Sequence, residues 1–312
     1  QVLPPWAMYT LFGLMALASL CIALGLYYRV AITVFFVLFT YVELIDVTNY
    51  LNHYYLVSLL AFLMCFMPLG EAYSLDVLRK NGLSRRTFPA WMTWLLRSQV
   101  ALVYIYAAVA KTGTDWLVHG QPMGIWLAAR TDIPLIGPFL DLPGAAMVFS
   151  WAGFLYDATV VPLMLWRKSR PFAYVVAIVF HSMVGVFFNI GMFPVIMLVS
   201  LTLFFEPTWP RIFIRASPSK PLPRPWLALS PSFSRSLALS GLVLFMTLQA
   251  ALPARAFLYG GDVLWHEQGM RFAWKVMVRE KNGSVTYRVK SERFKRERHV
   301  YPSQYLTSHQ ER

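Results

Sequence analysis

The sequence is poor in charged residues and in cysteine. Only 14% of its 312 residues are charged and 57% are hydrophobic, whereas a soluble domain has about 25% charged residues. Both cysteines, Cys21 and Cys65, lie inside apolar runs, which excludes a framework of extracellular disulfides. The sequence has no phosphate-binding glycine loop, no serine-nucleophile elbow and no metal-ligand spacing. The scarcity of charge and the high hydrophobic content indicate a membrane protein.

Apolar runs of about the length that crosses a bilayer recur along the chain. They predict an all-α polytopic membrane bundle of about eight transmembrane helices, at 6–26, 30–46, 54–69, 90–110, 145–166, 172–190, 192–206 and 236–252. The domains expected are a transmembrane domain over 1–252 and a small exterior extension over 253–312. Because the first residue is not Met and falls on the exterior side, we expect a further helix before this bundle. The exterior extension is also expected to be truncated.

The net charge of +13 is concentrated in alternate loops. One set of loops has only Lys111 and Arg130 between the spans. The other set has thirteen basic residues: Arg29, Arg79, Lys80, Arg85, Arg86, Arg167, Lys168, Arg170, Arg211, Arg215, Lys220, Arg224 and Arg235. The positive-inside rule assigns the basic loops to the cytoplasm. Membrane topology therefore accounts for the charge without nucleic acid as a partner, and the segment after residue 252 is expected on the exterior side.

The exterior segment has two stretches in which apolar residues alternate. They are 272–278 and 285–289, and Lys281-Asn282-Gly283 lies between them. Asn-Gly is a strong signal for a tight turn between antiparallel strands. The sequence therefore predicts a small exterior β-hairpin that joins these two stretches, followed by a charged, extended tail from Ser291.

Ionisable and amide side chains inside apolar spans are candidates for function, because they are costly in hydrocarbon. Each has a structural alternative. Arg97 can reach the cytoplasmic interface or pair with Asp157, and His181 can bond to a neighbouring helix. Lys111 can be an anchor at a helix C-terminus that Gly113 caps. The full set is Glu43, Asp46, Asn52, His53, Arg97, Gln99, Lys111, Asp157 and His181.

A series of short motifs occurs in a fixed order along the chain. The motifs are Tyr50-Leu-Asn52-His53-Tyr54-Tyr55, Phe66-Met-Pro68, Ser74-Leu-Asp76, Arg97-Ser-Gln99, Tyr106-Ala-Ala-Val-Ala-Lys111 with Asp115-Trp116, Phe180-His181-Ser-Met183, Asn189-Ile-Gly-Met-Phe-Pro194, Trp209-Pro-Arg211 and Leu258-Tyr-Gly-Gly261. The series resembles the vitamin K-dependent γ-glutamyl carboxylase family, whose membrane part is called the HTTM domain. The resemblance covers about 40–212 and resumes from Leu258 to Trp274.

The resemblance implies a membrane enzyme that binds reduced vitamin K and uses O2 and CO2, without a metal. Its members convert glutamate in a protein or peptide to γ-carboxyglutamate while vitamin K hydroquinone becomes its epoxide. The implied catalytic residues are Lys111, as the base, and His53. We expect cofactor contacts at Asn52, His181, Arg97 and Trp116, and glutamate contacts at Met270, Arg271 and Trp274.

The residue types suit this chemistry independently of the resemblance. A hydroquinone hydroxyl must lose a proton before O2 adds to the ring, and an amine in a dry, apolar pocket favours the neutral form that takes up a proton. Arginine stays protonated and is unsuited to this role. His53 is expected to donate a hydrogen bond to a cofactor oxygen, and Asn52 to hold that imidazole or to bind the oxygen itself.

Two other functions fit part of the pattern. A quinone-binding membrane oxidoreductase would form the epoxide without carboxylating glutamate. A transporter or lipid-binding scaffold would show inverted repeats, and the sequence has no evident internal symmetry. We expect the active site to face the non-cytoplasmic side of a bacterial inner membrane or an ER-type membrane.

Overall fold

The computed structural model describes residues 2–79, 83–84, 88–188, 190–206, 209–212, 220–221, 232–281, 285–291 and 296–306. The chain forms two compact units, Gln1–Val278 and Arg279–Arg312. The first unit contains the helices α1 (Pro5–Leu24), α2 (Tyr28–Ile45), α3 (Asn52–Cys65), α4 (Leu75–Arg79), α5 (Ala90–Ala110), α6 (Thr114–Leu117), α7 (Met123–Ala128), α8 (Gly137–Leu140), α9 (Ala145–Leu165), α10 (Arg170–Phe187), α11 (Phe193–Leu201), α12 (Ser232–Ala254) and α13 (Val263–His266).

The predicted class of a mostly helical membrane protein with a small hairpin is confirmed. Six helical segments are long and apolar enough to cross a bilayer: α1, α2, α5, α9, α10 and Leu239–Leu258. The predicted spans at 54–69 and 192–206 also form apolar helices, but shorter ones, Asn52–Cys65 and Phe193–Phe204. Helix α3 ends two residues before Met67, and a residue that precedes a proline disfavours helical geometry. The exact count of eight crossings therefore stays a prediction.

The largest buried cluster lies where α3, α5, α9, α10 and α11 meet. Its members from α5 and α9 include Val100, Tyr104, Tyr156 and Val160. Helices α1 and α2 pack on each other, and α2 also packs on α3. Few of the apolar side chains of α1 and α2 are buried, and many of those on α1 are exposed. Exposed apolar side chains on a membrane-spanning helix suit contact with lipid. The buried cluster therefore belongs to the later helices.

The turn between α1 and α2 explains the Ser74-Leu-Asp76 motif. Gly25 has a left-handed backbone (φ +61°), and a Cβ atom there would lie 2.3 Å from the Cβ atom of Ser74. Asp76 accepts hydrogen bonds from the Tyr28 amide at 3.2 Å and from the Arg79 guanidinium at 3.0 Å. The Tyr28 hydroxyl in turn donates to the Met64 carbonyl at 3.0 Å. The motif thus fixes the packing of α2 against α3.

The predicted ion pair between Arg97 and Asp157 is wrong. The Arg97 guanidinium instead donates to three carbonyl oxygens that follow α11, at 2.8 Å (Leu203), 3.3 Å (Phe204) and 3.0 Å (Phe205). Arg97 lies 14 positions before Lys111, which is about 21 Å along the axis of α5. Asp157 lies at the level of Lys111 and pairs with it, so it is out of reach of Arg97.

Replacing Arg97 by alanine is expected to lower the free energy of unfolding by about 2 kcal/mol, because charge-assisted hydrogen bonds to three carbonyls are lost. Thermal unfolding in detergent measures this. The control is Arg79→Ala, which removes an exposed ion pair to Asp76 and should cost less than about 1 kcal/mol. Equal losses in the two variants would contradict a structural role for the Arg97 contacts.

The predicted strand at 272–278 is also wrong. Phe272, Trp274 and Met277 have left-handed φ angles of +61°, +55° and +51°, which interrupt an extended strand. The alternation fails because the Trp274 side chain is drawn into the core, where packing overrides strand preference. This segment runs as turns and irregular chain in the first unit.

The hairpin of the second unit pairs β3 (Tyr287–Ser291) with β4 (Arg296–Val300), antiparallel, with Val289 opposite Arg298. The extended geometry predicted for 285–289 is therefore confirmed over most of that stretch, but its partner comes from the charged tail. Asn282 and Gly283 of the predicted turn lie outside the described residues. In the first unit, a parallel bridge joins β1 (Leu83–Ser84) and β2 (Lys220–Pro221).

Candidate active site

A cavity of about 260 Å³ lies between α5, α9, α10 and α11 in the first unit. This is slightly below the about 300–1,000 Å³ that is usual for small-molecule sites. The irregular segment after α13 contributes Val276 and Met277 to its wall. Most of the other side chains that line it are aromatic or aliphatic, among them Val103, Met123, Phe149, Phe180, Phe187, Phe188, Phe193 and Met197. The cavity therefore favours a flat, largely apolar ligand.

Lys111 lines this cavity at the C-terminal end of α5. Its side chain is buried, with 6% of the residue exposed. The Nζ atom lies 2.8 Å from Asp157 Oδ2, 3.4 Å from the Val276 carbonyl and 3.5 Å from the Ala107 carbonyl. Nζ also lies 5.2 Å from the centre of the Trp116 ring. These contacts place the amine inside the protein.

Gly113 does not cap α5 in the way predicted. Lys111 itself follows the last helical residue, and its amide donates to the Ala108 carbonyl at 2.9 Å. Gly113 has an extended backbone (φ −67°, ψ 158°) and precedes α6. Helix α6 then carries Trp116, whose Nε1 atom donates to the Ser150 carbonyl on α9 at 2.7 Å. The turn after Lys111 thus places an indole ring against the amine.

Asp157 is brought to Lys111 by the spacing of α9. The buried positions Ser150, Gly153, Asp157, Val160 and Val161 recur at three- and four-residue steps, which place them on one face of the helix. That face packs against α5. A carboxylate on it therefore lies beside the end of α5, where the lysine is.

His181 supplies a second polar position on the cavity wall. It is 1% exposed, and its Nε2 atom lies 3.2 Å from the Tyr104 hydroxyl. Its Nδ1 atom has no hydrogen-bond partner among the described residues. The rings of Tyr156, Phe180 and Phe193 pack around the imidazole. A buried nitrogen without a partner next to a cavity marks a position where a ligand oxygen would be stabilised.

His53 and Asn52 lie one layer away from the cavity. The His53 ring packs 5.7 Å from the Phe193 ring, and Phe193 packs 5.6 Å from His181 on its other side. His53 Nε2 is also without a partner in the described part of the chain. Asn52 accepts from the Tyr50 hydroxyl at 3.0 Å and donates to the Lys275 carbonyl at 3.5 Å. Asn52 therefore ties the start of α3 to the segment that covers the cavity.

The three residues expected to bind glutamate lie in different environments. Trp274 is fully buried and stacks on Tyr55 with ring centroids 5.0 Å apart. Met270 packs in a cluster that contains Trp116. The Arg271 carbonyl accepts from Arg255 at 2.8 Å.

Arg271 also lies close enough to affect an acidic side chain at the end of α2. Hydrogen bonds from Thr48 and Asn49 lower the pKa of the Asp46 carboxyl, and the positive charge of Arg271 contributes to this shift. Arg271 therefore lies on the side of the protein where α2 ends.

Sequence reasoning did not identify Tyr104 as a residue of the site, and it did not identify Lys111 as the partner of Asp157. Tyr104 precedes Lys111 by seven positions on α5, a spacing that places both on the same face of a helix. Tyr104 could therefore have been predicted from its spacing to Lys111. Arg97, in contrast, is far from this cavity along α5, although it was expected to contact the cofactor.

Two family models match the chain. The HTTM domain matches residues 1–209, more than half of the chain, and the vitamin K-dependent gamma-carboxylase lumenal domain matches residues 234–312. The lumenal assignment agrees with the exterior side that the charge distribution gives to the C-terminal segment. No solved structure matches the chain. The chain therefore belongs to the vitamin K-dependent gamma-carboxylase family of HTTM-domain membrane proteins.

Proposed function

We propose that this chain carboxylates glutamate in a protein or peptide substrate and couples this reaction to the epoxidation of vitamin K hydroquinone, with O2 and CO2 as co-substrates. The observation that carries the proposal is the buried pair of Lys111 and Asp157 in the wall of an apolar, aromatic cavity. Family membership supports the reaction class. The match of the C-terminal segment to a lumenal domain supports a substrate that arrives from the non-cytoplasmic side.

The residues of the cavity fit reduced vitamin K. Its ring system is flat and apolar, and the Phe and Met side chains of the wall suit such a ring. Its oxygens require polar partners. The wall offers the Lys111 amine and the Nδ1 atom of His181, which has no hydrogen-bond partner in the part of the chain that the structure describes. His53 packs against Phe193 of the wall and does not itself line the cavity, so in this proposal it supports the wall. The two imidazoles thus have different roles in this proposal.

When bound, reduced vitamin K supplies the oxygenation chemistry and the strong base that glutamate carboxylation requires. Lys111 takes up a hydroxyl proton at Nζ when its amine is neutral. The Asp157 carboxylate, 2.8 Å away, stabilises the ammonium that forms. Tyr104 fixes the orientation of His181 through the Nε2 atom. The aromatic wall excludes water, which strengthens each of these electrostatic interactions.

A product assay on the purified chain in lipid nanodiscs tests the proposal. Reduced vitamin K, labelled bicarbonate and a glutamate-containing peptide are supplied under air, and samples without vitamin K serve as the blank. We expect labelled γ-carboxyglutamate and vitamin K epoxide to form together. Epoxide without labelled peptide would replace the proposal by the oxidoreductase alternative. Binding of reduced vitamin K without either product would contradict an enzymatic function.

A further inference from the structure

The Lys111 amine has as many acceptors around it as an ammonium has hydrogens. An ammonium carries three donors and no lone pair, whereas a neutral amine carries two donors and one lone pair. The three oxygens near Nζ belong to Asp157, Val276 and Ala107, and they come from α9, from the segment after α13 and from α5 itself. The number of oxygens near Nζ therefore equals the number of hydrogens that an ammonium could donate.

Asp157 is the acceptor that distinguishes this arrangement from ordinary helix capping. The two carbonyl contacts are long, at 3.4 and 3.5 Å, whereas the carboxylate contact is 2.8 Å. An ionised carboxylate carries a full negative charge, which a backbone carbonyl does not. Both side chains of the pair are more than nine-tenths buried. Burial removes the water that would otherwise weaken the attraction. The charge state of the amine therefore depends mainly on Asp157.

The other groups that face Lys111 do not replace this carboxylate. Trp116 of α6 presents the face of its ring, which attracts a cation weakly. Tyr104 of α5 and His181 of α10 line the same cavity and hydrogen-bond to each other. Next to Val276 lies Lys275, and burial lowers its pKa while the charge of Asp262 opposes this. Among the described residues that line the cavity, Asp157 is thus the only carboxylate.

We propose that Asp157 is the positioning residue for Lys111: its carboxylate holds the amine at the cavity wall as an ammonium and sets the pH at which that amine becomes a base. The role of Lys111 as a base rests on the proposed function, whereas the control of its charge state by Asp157 does not. The proton that leaves Nζ in this equilibrium goes to solvent or to Asp157 Oδ2, and no electron is transferred.

Amine acetylation as a function of pH tests this proposal without vitamin K. Only a neutral amine reacts with acetic anhydride, and mass spectrometry follows the peptide that contains Lys111 in the protein in nanodiscs. In Asp157→Asn the amine loses its counter-charge. We expect the midpoint for Lys111 to move to lower pH by about one to three units. Lys168, which is exposed in the turn between α9 and α10, is the internal reference and should keep its midpoint.

Asp157→Glu is the matched control, because it keeps the charge and lengthens the side chain by one methylene. Its midpoint should remain close to that of the parent chain. An unchanged midpoint in Asp157→Asn would overturn the proposal. Where the parent chain is active, the acid limb of the pH–rate profile should move in the same direction as the labelling midpoint. If the parent chain is inactive but the acetylation midpoint of Lys111 still shifts in Asp157→Asn, the proposed function is contradicted and the role of Asp157 is not.

Asp157→Asn risks failing to fold, because a lone buried ammonium is costly. In that case the double variant Asp157→Asn, Lys111→Met, which removes both charges, is compared with it. Recovery of folded protein in the double variant supports the pair as a unit. A double variant that is recovered as poorly as Asp157→Asn would overturn the proposal, because the loss would then come from Asp157 without Lys111.

Discussion

Lys111→Met is expected to lower the rate of epoxide formation by about 10²–10⁴-fold, the usual contribution of general acid–base catalysis. Methionine fills a similar volume in the cavity wall but has no basic nitrogen. Carboxylation should fall with epoxidation, because the proposed reaction makes the first depend on the second. Separate measurement of epoxide and of labelled peptide checks both losses. Lys111→Arg should be equally impaired, because a guanidinium stays protonated.

Loss of folding would mimic loss of the base in Lys111→Met. The variant leaves the Asp157 carboxylate buried without its partner, which typically costs about 3–5 kcal/mol. The double variant Lys111→Met, Asp157→Asn removes that unpaired charge and should recover stability without recovering activity. Binding of reduced vitamin K to the double variant shows that its cavity is intact. Epoxide formation at the parent rate in a folded Lys111 variant would refute the role of base.

The helices of this protein were predictable because the bilayer imposes a strong pattern on the sequence. A span must be continuously apolar, and its backbone must be satisfied within the helix. The hydropathy of the chain therefore indicated each main helix. Charge added the orientation, since basic residues are concentrated in alternate loops. This information is local in sequence, and it does not depend on how the helices pack.

The partner of Lys111 was not predictable in the same way. Asp157 lies 46 positions later in the chain, and its contact with Nζ depends on the axial register between α5 and α9. Because both side chains are buried, water cannot solvate their charges, and each charge is stabilised by the nearest opposite charge. The sequence offered Arg97 as one possible partner, since both residues lie in apolar spans. A shift of about 21 Å along α5 separates that choice from the observed one.

The segment 272–278 illustrates the limit of periodicity in a short stretch. Alternation over seven residues predicted a strand, yet three left-handed residues and a buried indole determine the actual course of the chain. Backbone strain of this kind persists only where surrounding contacts compensate for it. Two such contacts are the hydrogen bond from the Phe272 amide to the Tyr50 hydroxyl, at 3.0 Å, and the stacking of Trp274 on Tyr55.

Trp274→Ala is expected to lower the free energy of unfolding by about 3–5 kcal/mol, because it removes the largest fully buried side chain and leaves a cavity. The same change would release the segment that covers Lys111, since Val276 follows two positions later. Chemical or thermal unfolding in detergent measures the loss. Trp274→Phe should cost much less: its ring still stacks on Tyr55, and the indole Nε1 atom has no hydrogen-bond partner among the described residues.

Trp265→Ala is the matched control, because it removes the same side chain from a position that is 76% exposed and should change stability by less than about 0.5 kcal/mol.

A measurement of KM for the glutamate peptide then separates the two possible roles of Trp274. In a core role, Trp274→Phe keeps the parent KM while Trp274→Ala unfolds at lower temperature. If Trp274→Ala instead keeps the parent melting temperature and raises KM, Trp274 is a substrate contact. Only a side chain that reaches the peptide can change binding without changing the stability of the core.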